Sequence, residues 1–566
     1  MIFRFIFLIF FAQSVITPLE QTLFYHKHPD AINYNGIVVS SNEYASEIGI
    51  EILKNGGNAI DAAVGVTFAL SVVYPMAGNI GGGGFMVIRT AEGLNTTIDF
   101  REKAPELSYR DMFLDDSLNV TNKSLFTGLS SGVPGTVAGM WYSHQKFGSK
   151  PWSELLKPSI NLAQYGFELD PFNVTYLNSN RYSEYLSADL EAKNIFTKNN
   201  SSFQIGEKFI QSDLAATLKR IAYGGSKEFY EGKTSQNIIK CMERTGGIIS
   251  ELDLKNYKPI EREPVFFEYR DYKIYTMPPP SSGGVALAQI LKQLQNISLD
   301  SISFHSSKHL HYLAEIEKRV YADRSHYMGD PDFNDIPIEI LISNQYLINR
   351  FNSIKLNQAT PSQEITYGVL DQKEKNKYGY IDPFNGDINK IKQFQEEAGL
   401  TIDGIWGPKT QNAWESFIKW NESPETTHFS IVDKWGNAVS VTTTLNRRYG
   451  NGIVVDDSGF LLNNQMDDFS IKPGHPNAWG LIGNDANSVE GNKRMLSSMS
   501  PTIIENPDGE LYLILGTPGG STIITTIAQI ISNVIDYRMN IQDAVDAHRF
   551  HHQWLPDIID IEPYGF

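Results

Sequence analysis

The sequence predicts an α+β fold on two observations: a β-branched hairpin pattern near 427–444, and separate runs of helical periodicity on either side of it. A chain of 566 residues can bury a sizeable core, and 41% hydrophobic with 20% charged residues describes a packed globular protein. The formal net charge of −17 lacks the basic footprint that nucleic acid requires, so no nucleic-acid partner is expected. Cys241 is the only cysteine, which rules out an intrachain disulfide and reads as a buried small residue.

Taken in order, residues 1–14 hold one Arg, an apolar run and Ala12-Gln13-Ser14 as a small-residue cleavage site, the pattern of an export signal. A periplasmic, extracellular or cell-surface location follows as an expectation. Ser41 to Lys54 has apolar residues at helical spacing and ends on Asn55-Gly56-Gly57. Ala59 to Val73 is apolar on most faces, which predicts a helix buried between layers. Gly81 to Gly84 are four consecutive glycines, but no Lys-Ser/Thr follows and the run enters a strand, so close backbone packing is expected in place of a phosphate loop. Arg101 ends the next strand, where it is either a carboxylate clamp or a plain exposed side chain.

Helical patterns continue at 155–165, 214–223, 285–294 and 308–327, punctuated by turn-dense stretches at 131–136 and 278–284. Gln372 to Lys377 is a charged, linker-like run. A compact unit at 387–420 follows it, with an amphipathic helix through Ile391, Phe394 and Ala398, turns at Asp403-Gly404 and Gly407-Pro408, and a second helix capped by Thr410. Around Gly399 to Thr410 it resembles a peptidoglycan-binding module of wall-hydrolase accessory repeats; scaffold without ligand and wall binding both stay open.

In the hairpin, Lys434-Trp435-Gly436 reads as a three-residue loop ending on a left-handed glycine, which pairs Asp433 with Asn437. Counting outward, Thr426 lies opposite Thr444, with Asn446 one diagonal step away. A two-residue loop would turn Thr444 to the other face. By pattern alone the pair reads first as Thr-rich strands without chemistry. Downstream, a strand at 511–515 leads through Gly519-Gly520 into a helix at 522–537, a turn whose N–H groups suit an oxyanion or are merely structural. His548, His551 and His552 lack a completing partner in sequence and are expected to be structural, with no metal site.

Several motifs occur together in order: Gly56-Gly-Asn-Ala-Ile-Asp-Ala-Ala63, Gly78-Asn-Ile-Gly-Gly-Gly-Gly-Phe85, Asp99-Phe-Arg-Glu102, Pro278-Pro-Pro-Ser-Ser-Gly-Gly284, Thr426-Thr-His-Phe-Ser430, Leu462-Asn-Asn-Gln-Met-Asp-Asp-Phe-Ser470 and Ser497-Ser-Met-Ser-Pro-Thr502. With them the chain resembles the γ-glutamyltranspeptidase (glutathione hydrolase) family of N-terminal-nucleophile hydrolases, from residue 36 onward apart from an insert at about 373–420. The resemblance implies a four-layer αββα sandwich, no cofactor, and a proenzyme that cuts itself between Glu425 and Thr426. Large (36–425) and small (426–566) subunits would result. It implies Thr426 as nucleophile and Thr444 as the group that orients its hydroxyl, with Gly519 and Gly520 as the oxyanion hole. Arg101, Ser497 and Ser498 would hold the substrate α-carboxylate, and Asn446, Gln465 and Asp468 its α-amine, a cation and an anion at opposite ends of one pocket. The substrate class would be glutathione and related γ-glutamyl amides, with water, an amino acid or a peptide as acceptor.

The chemistry explains the cut, because a new N-terminal amine has a reference pKa of about 7.7 to 8.0 and can take the hydroxyl proton near neutrality. Rival implications are a related acylase, a wall-linked poly-γ-glutamate transpeptidase, or a non-catalytic wall-binding protein. Three departures from the family pattern stand out: the insert just before the scissile bond, Trp479 where many relatives carry Tyr, and a chain that stops at Phe566 where relatives continue, so that either a truncated small subunit or a differently completed core is expected.

Overall fold

Two antiparallel sheets lie face to face in the computed structural model, which describes residues 33–198, 201–370, 388–397, 401–404 and 426–562. The first has six strands in the order β1 (Gly36–Val39), β7 (Thr427–Asp433), β8 (Ala438–Thr444), β2 (Gly83–Arg89), β3 (Asn95–Phe100) and β4 (Ile260–Arg262). The second has four, β10 (Leu511–Leu515), β9 (Thr502–Glu505), β6 (Tyr272–Thr276) and β5 (Val265–Tyr269).

Strand alternation decides which face each side chain serves. Phe429 and Ile431 of β7, with Val439 and Val441 of β8, join a core built with α1 (Glu43–Lys54), α2 (Ala59–Val73), α3 (Trp152–Tyr165) and α4 (Ser212–Glu231). Helix α2 is buried along its whole length, as its apolar surface predicts, and starts from a capping box of Asn58 and Asp61. On the far side, Ile274, Ile504 and Leu515 of the small sheet join a core with α5 (Gly283–Leu294), α6 (Ser307–Tyr327) and, later in the chain, α8 (Ile523–Ile535). Between the sheets, Val87, Ala438 and Ile503 form a small apolar contact. Polar ties flank it: Ser440 Oγ donates to Leu515 O at 2.7 Å, and Thr502 N donates to Ser440 Oγ at 3.1 Å. Helices, sheet, sheet and helices make the four layers.

The glycine run at 81–84 behaves as close backbone packing. A Cβ on Gly81 would sit 2.1 Å from Leu461 O, and one on Gly82 2.1 Å from Thr444 O. Helix α4 runs past its expected end at Tyr223 to Glu231, through a kink at Gly225, where φ is +62° and the Trp141 ring packs against the backbone. Within the insert, α7 (Ile388–Glu397) forms as expected, and the Gln395 side chain closes the Asp403-Gly404 turn by donating to Asp403 Oδ1 at 2.8 Å and accepting from Gly404 N at 2.9 Å. The export signal, the rest of the insert and Glu425 lie outside the described residues.

Candidate active site

The hairpin adopts the register that a three-residue loop requires. Gly436 has φ +92°, its N–H donates to Asp433 O at 3.1 Å, and Asp433 N donates to Asn437 O at 3.0 Å. Thr443 pairs with Thr427, so one further step sets Thr426 opposite Thr444. Asp433 also anchors the loop end to the helical layer, its Oδ2 accepting from Ala59 N at the start of α2 at 3.0 Å. Past β8 the chain turns at Asn446, with φ +77°, and Asn446 N donates to Thr444 Oγ1 at 2.9 Å.

At this end of the hairpin one cavity is lined by Thr426, Thr444, Arg101, Asn446, Gln465, Asp468, Ser497, Ser498 and Gly520. Nine of the ten residues expected to act together therefore meet. The tenth, Gly519, is next to Gly520 in the turn before α8, with φ +141° and +57° at the two positions. The first N–H groups of such a turn are those a helix leaves without internal partners.

Arg101 follows β3 directly and is fully buried. Its Nη2 forms an ion pair with Asp468 and donates to Leu496 O at 3.1 Å, while Nε donates to Met495 O at 3.3 Å. Gln465 Nε2 donates to the same Asp468 oxygen at 2.7 Å. The two charges thus touch, where the sequence set them at opposite ends of the pocket. Desolvation accounts for this difference, since a buried guanidinium and carboxylate are costly unless they neutralise each other. Burial also pushes the Glu102 carboxyl up to about 7, against the pull of Arg101, and pushes Asp467 up to about 6.

Ser497 is seated on the Pro278–Gly284 turn, its N–H donating to Pro280 O at 2.9 Å and its carbonyl accepting from Ser282 N at 2.8 Å. Trp479 covers the cavity from the loop after Asp468. Its Nε1 donates to Asn446 Oδ1 at 2.7 Å, and its ring lies so close to Gly520 that a Cβ there would meet it at 2.5 Å. His428, on the face of β7 turned to the second sheet, bonds Thr442 Oγ1 and Ser430 Oγ at 2.9 Å each, and burial lowers its pKa to about 3. His551 and His552 are buried, with Thr525 and Gln553 around the first and Asp557 and Trp554 N around the second.

Residues 45–566 match the family described as Gamma-glutamyltranspeptidase. The chain belongs to that family. Among its relatives, the glutathione hydrolase proenzyme of Escherichia coli strain K12 is 44% identical over 528 residues, 93% of this chain and 82% of that protein. The Bacillus subtilis strain 168 glutathione hydrolase proenzyme is 37% identical over 523 residues, 92% of this chain and 81% of its own. The crystal structure of Helicobacter pylori gamma-glutamyltranspeptidase aligns with a TM-score of 0.59 at 43% identity, covering 62% of this chain and 100% of that one. A cephalosporin acylase from Bacillus halodurans shares the fold, with a TM-score of 0.73 over 95% of this chain and 88% of that one at 21% identity. The protein is accordingly an enzyme of the γ-glutamyl hydrolase and transpeptidase class, with the α+β fold of N-terminal-nucleophile hydrolases.

Six further residues that line the cavity were not singled out from the sequence: Arg324, Asn477, Leu481, Leu496, Met499 and Ile523. Arg324 closes a helix whose buried stretch includes Glu315, Glu317, Lys318, Arg319 and Asp323. Charged residues at that density inside a helix flanked by apolar partners were the available signal.

Proposed function

We propose that this enzyme matures by cutting between Glu425 and Thr426 and then cleaves the γ-glutamyl amide of glutathione and related compounds. The observation that carries the reading is the convergence of Thr426, Thr444 and the ion-paired Arg101 and Asp468 on one cavity. In the cycle, Thr426 Oγ attacks the γ-carbonyl carbon while the freed α-amine takes the hydroxyl proton. Gly519 and Gly520 N–H groups stabilise the oxyanion, and collapse expels the leaving amine with that proton. The ester on Thr426 then passes the γ-glutamyl group to water, giving hydrolysis, or to an amino acid or peptide amine, giving transfer. Arg101, Ser497 and Ser498 hold the α-carboxylate, and Asn446, Gln465 and Asp468 hold the α-amine, which fixes the γ-carbonyl for attack. This head-group chemistry favours a γ-glutamyl substrate over the acyl groups of a general acylase.

Denaturing electrophoresis with N-terminal sequencing tests the scheme. Wild type yields two fragments, one starting at Thr426, and turns over a γ-glutamyl anilide; Thr426→Ala does neither. Cleavage or turnover persisting in that variant would show another nucleophile. Export is proposed on the strength of residues 1–14 alone. The 387–420 unit is proposed as a peptidoglycan-contacting accessory, supported by its motif. Equal retention on isolated sacculi of proteins with and without 387–420 would remove wall binding.

A further inference from the structure

The carboxylate side of the cavity contains a second guanidinium besides Arg101. Arg324, at the end of α6, is buried, lines the cavity, and has no carboxylate within ion-pair distance among the described residues. Its partners are hydroxyls: Nε donates to Ser282 Oγ at 2.9 Å and Nη2 to Ser498 Oγ at 3.2 Å. A buried cation held only by hydroxyls, with the Asp468 charge acting on it from beyond ion-pair distance, is unfavourable unless a further anion comes within reach, so a fold that keeps one at a ligand cavity is arranged for an anion there. Arg101 shares its charge with acids already in place: its Nη2 is held by Asp468 and Leu496 O, and its Nη1 lies 3.7 Å from Glu102 Oε2.

Hydroxyl bookkeeping sharpens the point. A serine Oγ that accepts from a fixed donor turns its own proton elsewhere. Ser282 Oγ accepts from Arg324 and gives its proton to Ser497 O at 2.7 Å. Ser498 Oγ accepts from Arg324, and Ser497 Oγ accepts from Met499 N at 3.1 Å. Both hydroxyls on the cavity wall are thereby set as donors, the polarity a carboxylate requires.

We infer that Arg324 is a positioning residue for the substrate α-carboxylate: its fork joins Ser282 to Ser498, fixes the Ser498 hydroxyl as a donor into the cavity, and supplies the positive charge that makes the site select a free carboxylate. The inference rests on the γ-glutamyl reading above, and it identifies which group enforces the carboxylate requirement.

The test compares γ-glutamyl p-nitroanilide with its α-carboxamide counterpart on self-cleaved wild type, Arg324→Met and Arg324→Lys, with self-cleavage reporting the fold. In Arg324→Met, KM for the free-carboxylate substrate should rise roughly tenfold or more, as loss of a charge-assisted hydrogen bond implies. Its kcat should stay within about threefold, because the lost contact is made equally in ground and transition states. KM for the carboxamide should hardly move, so the preference between the two collapses, and Arg324→Lys should recover part of it. An unchanged KM and preference in Arg324→Met, or equal losses on both substrates without rescue by Lys, would overturn the role. Should Arg324→Met fail to mature, Arg324→Lys decides alone: a raised KM with the carboxylate preference kept supports the fork, and a wild-type KM sinks it. Wild type that cleaves neither anilide would sink the γ-glutamyl reading instead, so the two failures are separable.

Discussion

Asp468 stands between two donors, Arg101 and Gln465, and its charge is what makes a buried guanidinium tolerable at that place. Replacing it by Asn removes the charge and leaves the hydrogen-bonding shape. We expect Asp468→Asn to self-cleave, because Thr426 is untouched, and to show KM for a γ-glutamyl anilide raised by roughly tenfold or more, as for other hydrogen bonds to charged groups; steady-state kinetics would check it, and an unaltered KM would remove Asp468 from the head-group site. Residue identities at this site were legible only in part. The Thr426 and Thr444 pairing could be counted from one left-handed glycine, because strand register propagates over short distances. Arg101 meeting Asp468 could not be counted, since they are 367 positions apart and the direct contact follows from shared burial. Arg324 reaching Ser498, 174 positions away, is still less visible, because helical spacing says which face is buried and nothing of what lies against it.

The β7–β8 hairpin was legible as an element because its loop chemistry and strand alternation agree. Gly436 meets nothing within 4 Å of where a Cβ would be, so a substitution there acts through φ alone. Gly436→Ala should therefore lower stability by about 1–2 kcal/mol, the cost of a left-handed non-glycine residue, measurable by denaturant unfolding with an unchanged m-value. The same element carries a pH dependence. His428 is neutral in the folded protein down to about pH 3, whereas in the unfolded chain it takes a proton below its ordinary 6.5. Protons therefore favour the unfolded state between those values, and the His428 contribution is intact above 6.5 and lost progressively as pH falls towards 3. His428→Gln should show a shallower loss of thermal stability between pH 6.5 and 4 than wild type; parallel curves would contradict this. Helix ends were less legible than the hairpin, as α4 shows, because a glycine pair reads as a stop unless a neighbour such as Trp141 holds the kink.

At the scale of the molecule, the order of strands matters more than their number. Strands β7 and β8, after the proposed cut, sit between β1 and β2, before it, and β9 pairs with β6 across the same divide. Neither half owns the whole of the six-stranded or of the four-stranded sheet. We expect the two fragments to co-elute on size exclusion under native conditions at high dilution and to separate only in denaturant; native separation would contradict this pairing. That interleaving was not legible from local pattern, which gives strands but not their neighbours, and only the ordered motifs pointed to the layered fold. The position of Thr426 within it has a further consequence. Chain ends ordinarily fray, but this one would be created already fastened: Thr427 pairs with Thr443 on one side, its Oγ1 bonds Ser41 Oγ at 2.8 Å on the other, and Thr426 is only 6% exposed. The proposed cut would make a terminus without giving it a terminus's freedom. The conformational entropy a loose nucleophile would surrender before each attack would then be removed once, during folding, and every later turnover would start from that ordered state.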